Sequence, residues 1–262
     1  MRSIGLSFHL RYCIAIVLFM GFAGRSYSQT YLGVKAGINT TRISFNSERY
    51  KKFYDTNFKL GYTVGGVFVM ENKDKYGLNV ELLYSMKGKS VDSHANDYET
   101  NRANYHFIDA PIMFRVKFSH SKIRWYLQLG PQLSYWLGGK GEFTVYEADR
   151  DLVSSYPYTI NFGEPQSSSE YLNTNGEANR MQLGLGIGGG VILPLDRGNF
   201  LALDFRYTFG HTFMGSYESA SIPNIGLVDN MEHTNNVASI SVVYYFDILE
   251  KLRLSKNKYQ KK

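Results

Sequence analysis

Period-two alternation of apolar and polar side chains recurs eight times along this chain, and it limits the possible folds more than any other feature. The stretches lie at about 31–39, 59–71, 76–88, 104–118, 123–138, 181–195, 200–210 and 237–246. A period of two is that of a β-strand whose faces meet different surroundings, and no stretch between them sustains a helical period. In the third stretch Tyr76, Leu78, Val80, Leu82, Tyr84 and Met86 alternate with Gly77, Asn79, Glu81, Leu83, Ser85 and Lys87. In the fourth, Ile108, Ala110, Ile112, Phe114, Val116 and Phe118 alternate with Asp109, Pro111, Met113, Arg115 and Lys117. Across all eight, the apolar face carries no Asp, Glu, Lys or Arg. The other face carries Lys35, Lys59, Glu71, Glu81, Lys87, Asp109, Arg115, Lys117, Arg124, Asp204 and Arg206. Strands sorted this way predict one continuous, two-faced antiparallel sheet.

Side-chain size decides which face points outward. The charged face is rich in small residues, among them Gly33, Gly37, Gly65, Gly77, Ser85, Gly130, Ser134 and the run Gly184, Gly186, Gly188, Gly190. The apolar face holds the bulky groups Tyr62, Phe68, Trp125, Tyr135, Phe205, Tyr207, Tyr244 and Phe246. An eight-stranded barrel encloses a space just wide enough for its own side chains. Small residues fit there, and the bulky apolar set belongs in lipid. The soluble alternative, a lipocalin-like carrier with the apolar face inside, places the large groups in the narrow space. An all-β fold is therefore predicted: an eight-stranded antiparallel up-and-down transmembrane β-barrel.

The connections support this. They run 40–58, 72–75, 89–103, 119–122, 139–180, 196–199 and 211–236, long and short in alternation. The short ones (NKDK, SHSK, DRGN) are polar hairpin turns. Short periplasmic turns and long external loops are the usual asymmetry of outer-membrane barrels, and an even strand number leaves both termini periplasmic. An aromatic content of 15% suits the two lipid–water interfaces. Pro111, Pro131 and Pro194 fall inside strand stretches, where each removes a ladder hydrogen bond and marks a bulge, a strand end or a boundary placed wrongly.

The N-terminus has the order of a secretory signal peptide: Arg2 and Arg11, a short apolar run from Cys13 to Phe22, then Ser26 and Ser28 before Gln29. The run is shorter than the ~20 residues a membrane-spanning helix needs. Three regions follow: a signal peptide at 1–28, a barrel at 29–246 and a basic periplasmic tail at 247–262. Cys13, the single cysteine, leaves with the leader. Of the formal charge of +6, the leader's Arg2, Arg11 and Arg25 supply +3 and the tail supplies +4, leaving the barrel at −1. A nucleic-acid-binding surface is not supported by that distribution.

The opening strand Tyr31 to Ile43 (YLGVKAGINTTRI), the fourth strand Tyr105 to Phe118 (YHFIDAPIMFRVKF) and Leu127 to Tyr135 (LQLGPQLSY) resemble the PorT-like outer-membrane β-barrel family of Bacteroidota. The family's fourth-strand pattern resembles Y-x-x-I-P-x-x-x-K, and this chain has Asp109-Ala110-Pro111 where Glu-Ile-Pro is commoner. The resemblance covers nearly the whole mature chain and implies a barrel type. It brings no catalytic residues, and the secretion role of the named member is not carried over.

The inward charges Glu81, Asp109, Arg115, Asp204 and Arg206 are predicted to form an ion-pair network filling the lumen, with Glu81 and Arg115 on neighbouring strands as partners. The rival use is an ion path through a narrow channel, which eight strands disfavour. Catalysis at the external rim would draw on His106 and His211, with Tyr105, Asp109 and Ser216 nearby, as in lipid-A-modifying barrels. It requires those groups within hydrogen-bond reach. The bland alternative is that interfacial histidines are amphipathic rim residues. His94 and His233 fall in loops and His120 in a turn, without metal-ligand spacing. The run GLGIGGG lacks the strand–helix context and the Lys-Ser/Thr of a phosphate loop. No cofactor or metal is expected.

The sequence thus predicts a non-enzymatic outer-membrane scaffold. Its partners are outer-membrane lipid and, through the external loops or the basic tail, envelope or secretion-assembly proteins. The alternative is a lipid-A-modifying outer-membrane enzyme. N-terminal sequencing of protein from the membrane fraction is expected to begin near Gln29; full-length, uncleaved chain in the cytosol at native expression would contradict the export reading.

Overall fold

The computed structural model describes residues 29–247 except 73–74, 94–97, 121–122, 147–151, 169, 175–177, 196–198, 217–219 and 223–226. The leader and all of the tail beyond Asp247 lie outside the described residues. In chain order the elements are β1 (Gln29–Phe45), α1 (Glu48–Phe53), β2 (Tyr54–Thr56), β3 (Lys59–Glu71), β4 (Tyr76–Ser93), β5 (Tyr98–His120), β6 (Ile123–Tyr146) and β7 (Leu152–Asn161). There follow β8 (Tyr171–Asn173), β9 (Met181–Pro194), β10 (Phe200–Gly210), β11 (Ala220–Ile222), β12 (Leu227–Asp229) and β13 (His233–Asp247).

Each of the eight alternating stretches forms a strand, and these strands pair antiparallel with their neighbours. The order β1–β3–β4–β5–β6–β9–β10–β13 returns to β1 through a ladder running from Tyr31–Asp247 to Phe45–His233. Closure leaves this circuit without an edge, so its backbone groups are satisfied within the wall.

The faces fall as the alternation predicts. Leu82 is 63% exposed, Leu127 60% and Ile38 58%, whereas Arg115 is 1% exposed, Lys35 2% and Glu81 3%. That inverts the arrangement of a water-soluble barrel and rejects the lipocalin-like alternative. The inward glycines let the walls approach and admit large polar groups. At Gly190 a Cβ would press on the Leu203 carbonyl and on the Tyr126 hydroxyl, so glycine there gives Tyr126 its room.

Pro111 and Pro131 lie inside strands without a bulge. The β4–β5 ladder skips from Val80–Ile112 to Leu83–Asp109, and the β5–β6 ladder skips from Pro111–Gln132 to Phe114–Leu129. Each gap falls beside a missing N–H. Pro194 ends β9. The bulge in β6 lies elsewhere: Leu137 is the extra residue between His106–Gly138 and Phe107–Trp136, and Gly138 has φ of 155°.

The long connections are corrected. The predicted loop 89–103 is mostly strand, because β4 continues to Ser93 and β5 starts at Tyr98; β6 likewise continues to Tyr146. A strand of 24 residues such as β6 is about 80 Å long, far more than a tilted crossing of a ~25 Å apolar band requires. The surplus stands at the end remote from the short turns. There β6 exchanges partners, pairing with β9 through Tyr135–Met181 and with β7 from Lys140–Thr159 onward. Strands β7, β8, β11 and β12 extend the sheet, while β2 pairs with β4. The alternation stops short of these segments because, beyond lipid, a strand's outer face is free to be polar.

Leu82→Arg, at an exposed position of β4, is expected to reduce folding into lipid vesicles by about 2–4 kcal/mol if it lies near mid-bilayer. Thr63→Val, facing inward, is expected to cost much less. Denaturant titration of folding into vesicles measures both, and equal tolerance would contradict the facing.

Candidate functional site

Four charges at the centre of the lumen balance one another. Arg206 of β10 donates to Glu81 of β4 through Nη2 to Oε1 at 2.6 Å and Nη1 to Oε2 at 2.9 Å. Lys35 of β1 donates to Asp204 Oδ1 at 2.6 Å and reaches Glu81 Oε2 at 3.3 Å. Tyr126 and Gln128 of β6 donate to Asp204 Oδ2 at 2.6 and 2.7 Å, and Asn79 donates to Glu81 Oε1 at 2.7 Å. Since β4 and β10 lie four steps apart in the eight-strand circuit, the Glu81–Arg206 pair joins opposite walls.

The predicted Glu81–Arg115 pair does not form. Arg115 lies opposite Gly77, four residues below Glu81 on the neighbouring strand, or about 13 Å along it. Its guanidinium sits 4.0 Å from the Tyr126 ring, donates to Tyr245 Oη on the opposite wall at 3.2 Å, and lies 3.9 Å from Glu71. Lys117 holds the other Glu71 oxygen at 2.6 Å. Asp109, also predicted for the network, pairs with Lys87 at 2.7 Å, one level further from the short turns. Lys35, Lys87, Tyr126, Gln128 and Tyr245 complete the network; their inward parity is legible in the sequence, their partners are not.

Towards the end remote from the short turns the lumen becomes apolar. Tyr105, Phe107, Trp136, Phe143, Leu172, Met214, Ile222 and Met231 are buried together, drawn from β5, β6, β8, β11 and the 211–232 connection. Beside this cluster Lys89 of β4 pairs with Asp229 of β12, tying the outer sheet to the wall. His233, expected in a loop, is fully buried at the start of β13, edge-on to Phe45 at 5.8 Å. Neither of its ring nitrogens has a hydrogen-bond partner among the described residues. Arg180 closes the seam where β6 leaves β9: its Nε donates to the Trp136 carbonyl, and its guanidinium lies 4.4 Å from the Phe162 ring and 4.7 Å from that of Tyr135.

The residues considered for rim catalysis are not assembled. His106 is on the outer wall, its Nδ1 2.7 Å from the Tyr84 hydroxyl, whereas Tyr105 and Asp109 of the same strand point inward. His211 and Ser216 are exposed beyond β10. From β5 to β10 the wall passes through β6 and β9, three strand spacings or about 14 Å. No group of three His, Cys, Asp or Glu side chains is placed to hold a metal ion among the described residues. His94 lies outside them.

Among solved structures, the chain is similar to OprG from Pseudomonas aeruginosa, at 14% identity over 85% of this chain and 98% of that one, with a TM-score of 0.46. It is also similar to Ail of Yersinia pestis in complex with the heparin analogue sucrose octasulfate, at 10% identity over 83% and 99%, with a TM-score of 0.34. Neisserial surface protein A matches at 13% identity over 82% and 97%, with a TM-score of 0.35. No curated protein matches the sequence significantly. The assignment rests on the family model described as outer membrane protein beta-barrel domain, which matches residues 26–212. Its match to most of the chain, with the outward apolar wall, makes this a protein of the bacterial outer membrane. The chain belongs to the outer membrane protein beta-barrel domain family.

Proposed function

We propose that the protein is an eight-stranded up-and-down barrel of the PorT-like type that acts as a non-enzymatic surface scaffold. Its short turns and both ends of the barrel face the periplasm, and its extended β4–β8 and β11–β12 sheet faces outward. One observation carries the reading: the outer mouth is roofed by folded strands packed on a buried apolar cluster, above a lumen occupied by paired charges. A shaped outer platform suits binding of an envelope or surface partner, within a secretion assembly or outside one. A filled lumen does not suit conduction. The separation of His106 from Asp109 and His211 speaks against acid–base chemistry at the rim, which needs hydrogen-bond contact.

Purified protein in planar bilayers is expected to show no sustained conductance. Arg115→Ala, which leaves Glu71 without one of its two cations, is expected to lower stability by about 3–5 kcal/mol without opening a pore. Stable channels whose selectivity changes in that variant would replace the scaffold with a pore. Deleting the gene is expected to alter secreted or surface-bound proteins and leave lipid A unmodified. A lipid-A change reproduced by the His106→Asn, His211→Asn double variant would replace the scaffold with an enzyme.

A further inference from the structure

Two concavities meet on the outside of the wall, near its outer end. The upper one, about 500 Å³, is lined by Thr40, Arg42, Ser44, Asp55 and Asn236, with Lys51 of α1 above. The lower one, about 590 Å³, is walled by Ile38, Leu60, Phe205 and Ile240, all exposed. They share Thr40, Tyr207 and Ala238 and so form one continuous groove, apolar below and polar above, where Arg42 and Lys51 stand with the Asp55 carboxylate. The groove has a physical cause. The small outward Ala238 leaves a waist between the larger Tyr207 and Thr40, and the α1–β2 segment overhangs it. That overhang is held by the β2–β4 ladder and by Tyr50 stacked on Tyr54 at 5.1 Å beside Phe45.

Within the upper part the Arg42 Nε donates to Thr56 Oγ1 at 3.2 Å, and its guanidinium lies 5.5 Å from the Phe58 ring. This orients the fork that best suits a phosphate. Lys51, 2.7 Å from Glu48 on the exposed side of α1, supplies a second cation. Thr40, Ser44 and Asn236 offer acceptors and donors of the kind sugar hydroxyls use. The sequence of surroundings from outside to mid-wall is therefore cation, hydrogen-bonding groups, apolar trough.

We propose that this groove is a specific site for one phosphorylated glycolipid of the outer leaflet, with its phosphate at Arg42 and Lys51, its sugar against Thr40 and Asn236, and an acyl chain over Ile38, Leu60 and Phe205. The proposal rests on the orientation given above, which places this end outward. The guanidinium fork of Arg42, oriented by Thr56 and Phe58, selects a phosphate-bearing headgroup, and the continuity of the two concavities selects an amphiphile over a soluble anion.

The full mature chain, in detergent, is titrated with diphosphoryl lipid A, with its dephosphorylated form and with inorganic phosphate, and is monitored by native mass spectrometry. One diphosphoryl lipid per chain is expected, bound about tenfold or more tightly than the dephosphorylated form, the ratio one charge-assisted contact gives. Arg42→Ala with Lys51→Ala is expected to remove that preference. Ala238→Leu, which fills the waist without touching charge, is expected to weaken retention of the phosphorylated lipid to a similar degree. Lys140→Ala, an exposed site on β6 at the opposite wall, is expected to change nothing. Equal retention of both lipids, or indifference to the Arg42/Lys51 and Ala238 variants, would overturn the site; inorganic phosphate competing as well as the lipid would overturn the lipid as occupant. Orientation is read separately, by labelling Lys52→Cys on intact cells with a membrane-impermeant maleimide. Protection there would refute the outward placement while leaving the binding result intact.

Discussion

The contact between Glu81 and Arg206 sets the width of the molecule. The two residues stand on strands four steps apart in an eight-strand circuit, yet their side chains meet through two hydrogen bonds of 2.6 and 2.9 Å. Such a contact forms only where the enclosed space is no wider than two side chains. Other features follow from it. Buried charges need partners, so Lys35 and Asp204 complete a neutral set of four. The remaining carboxylate positions need donors, which Tyr126, Gln128 and Asn79 provide. Tyr126 in turn needs the space that Gly190 leaves. Glycine on the lumen face is thus a consequence of what occupies the centre.

The same wall solves a different problem outside. With polar groups spent on the lumen and backbone groups closed into ladders, the outer face is left to Leu, Ile, Val, Phe, Tyr and Trp, which only lipid accommodates at this density. Past the bilayer that demand ends. Strands β4, β5 and β6 continue with mixed faces, and their inner sides turn from charged to apolar around Trp136 and Phe143. The molecule is therefore inverted at membrane height and of ordinary soluble construction at the end remote from the short turns, where the Lys89–Asp229 pair and Arg180 fasten roof to wall.

How much of this is legible in the sequence depends on how locally each feature is determined. The strands β3 and β10 are readable to the residue because lipid imposes alternation over their full length. The facing of Glu81, Arg115 and Arg206 follows from parity alone. Their partners do not, because pairing depends on register and on which walls face each other; Arg115 and Glu81 neighbour one another in strand order but sit four residues apart in height. The ends of β4, β5 and β6 remote from the short turns escape notice because Gly88, Ser90 and Asp92 occupy the positions of β4 where the alternation calls for apolar side chains; Gly88 and Ser90 are nonetheless buried, under packing that the sequence does not reveal. His233 escapes because its burial is produced by Phe45 and the roof, both distant in sequence. The prolines are readable as interruptions, but only the ladders reveal that Pro111 and Pro131 are absorbed as gaps rather than bulges.

If the paired charges close the lumen, Glu81 and Arg206 must sense each other directly through the interior. A double-mutant cycle with Glu81→Gln, Arg206→Met and the double variant, read by denaturant unfolding from lipid vesicles, isolates that interaction. A favourable coupling of about 1–3 kcal/mol is expected, the range for residues in one buried network. Effects that add to within about 0.5 kcal/mol, as for sites that do not touch, would contradict the filled lumen and the account built on it.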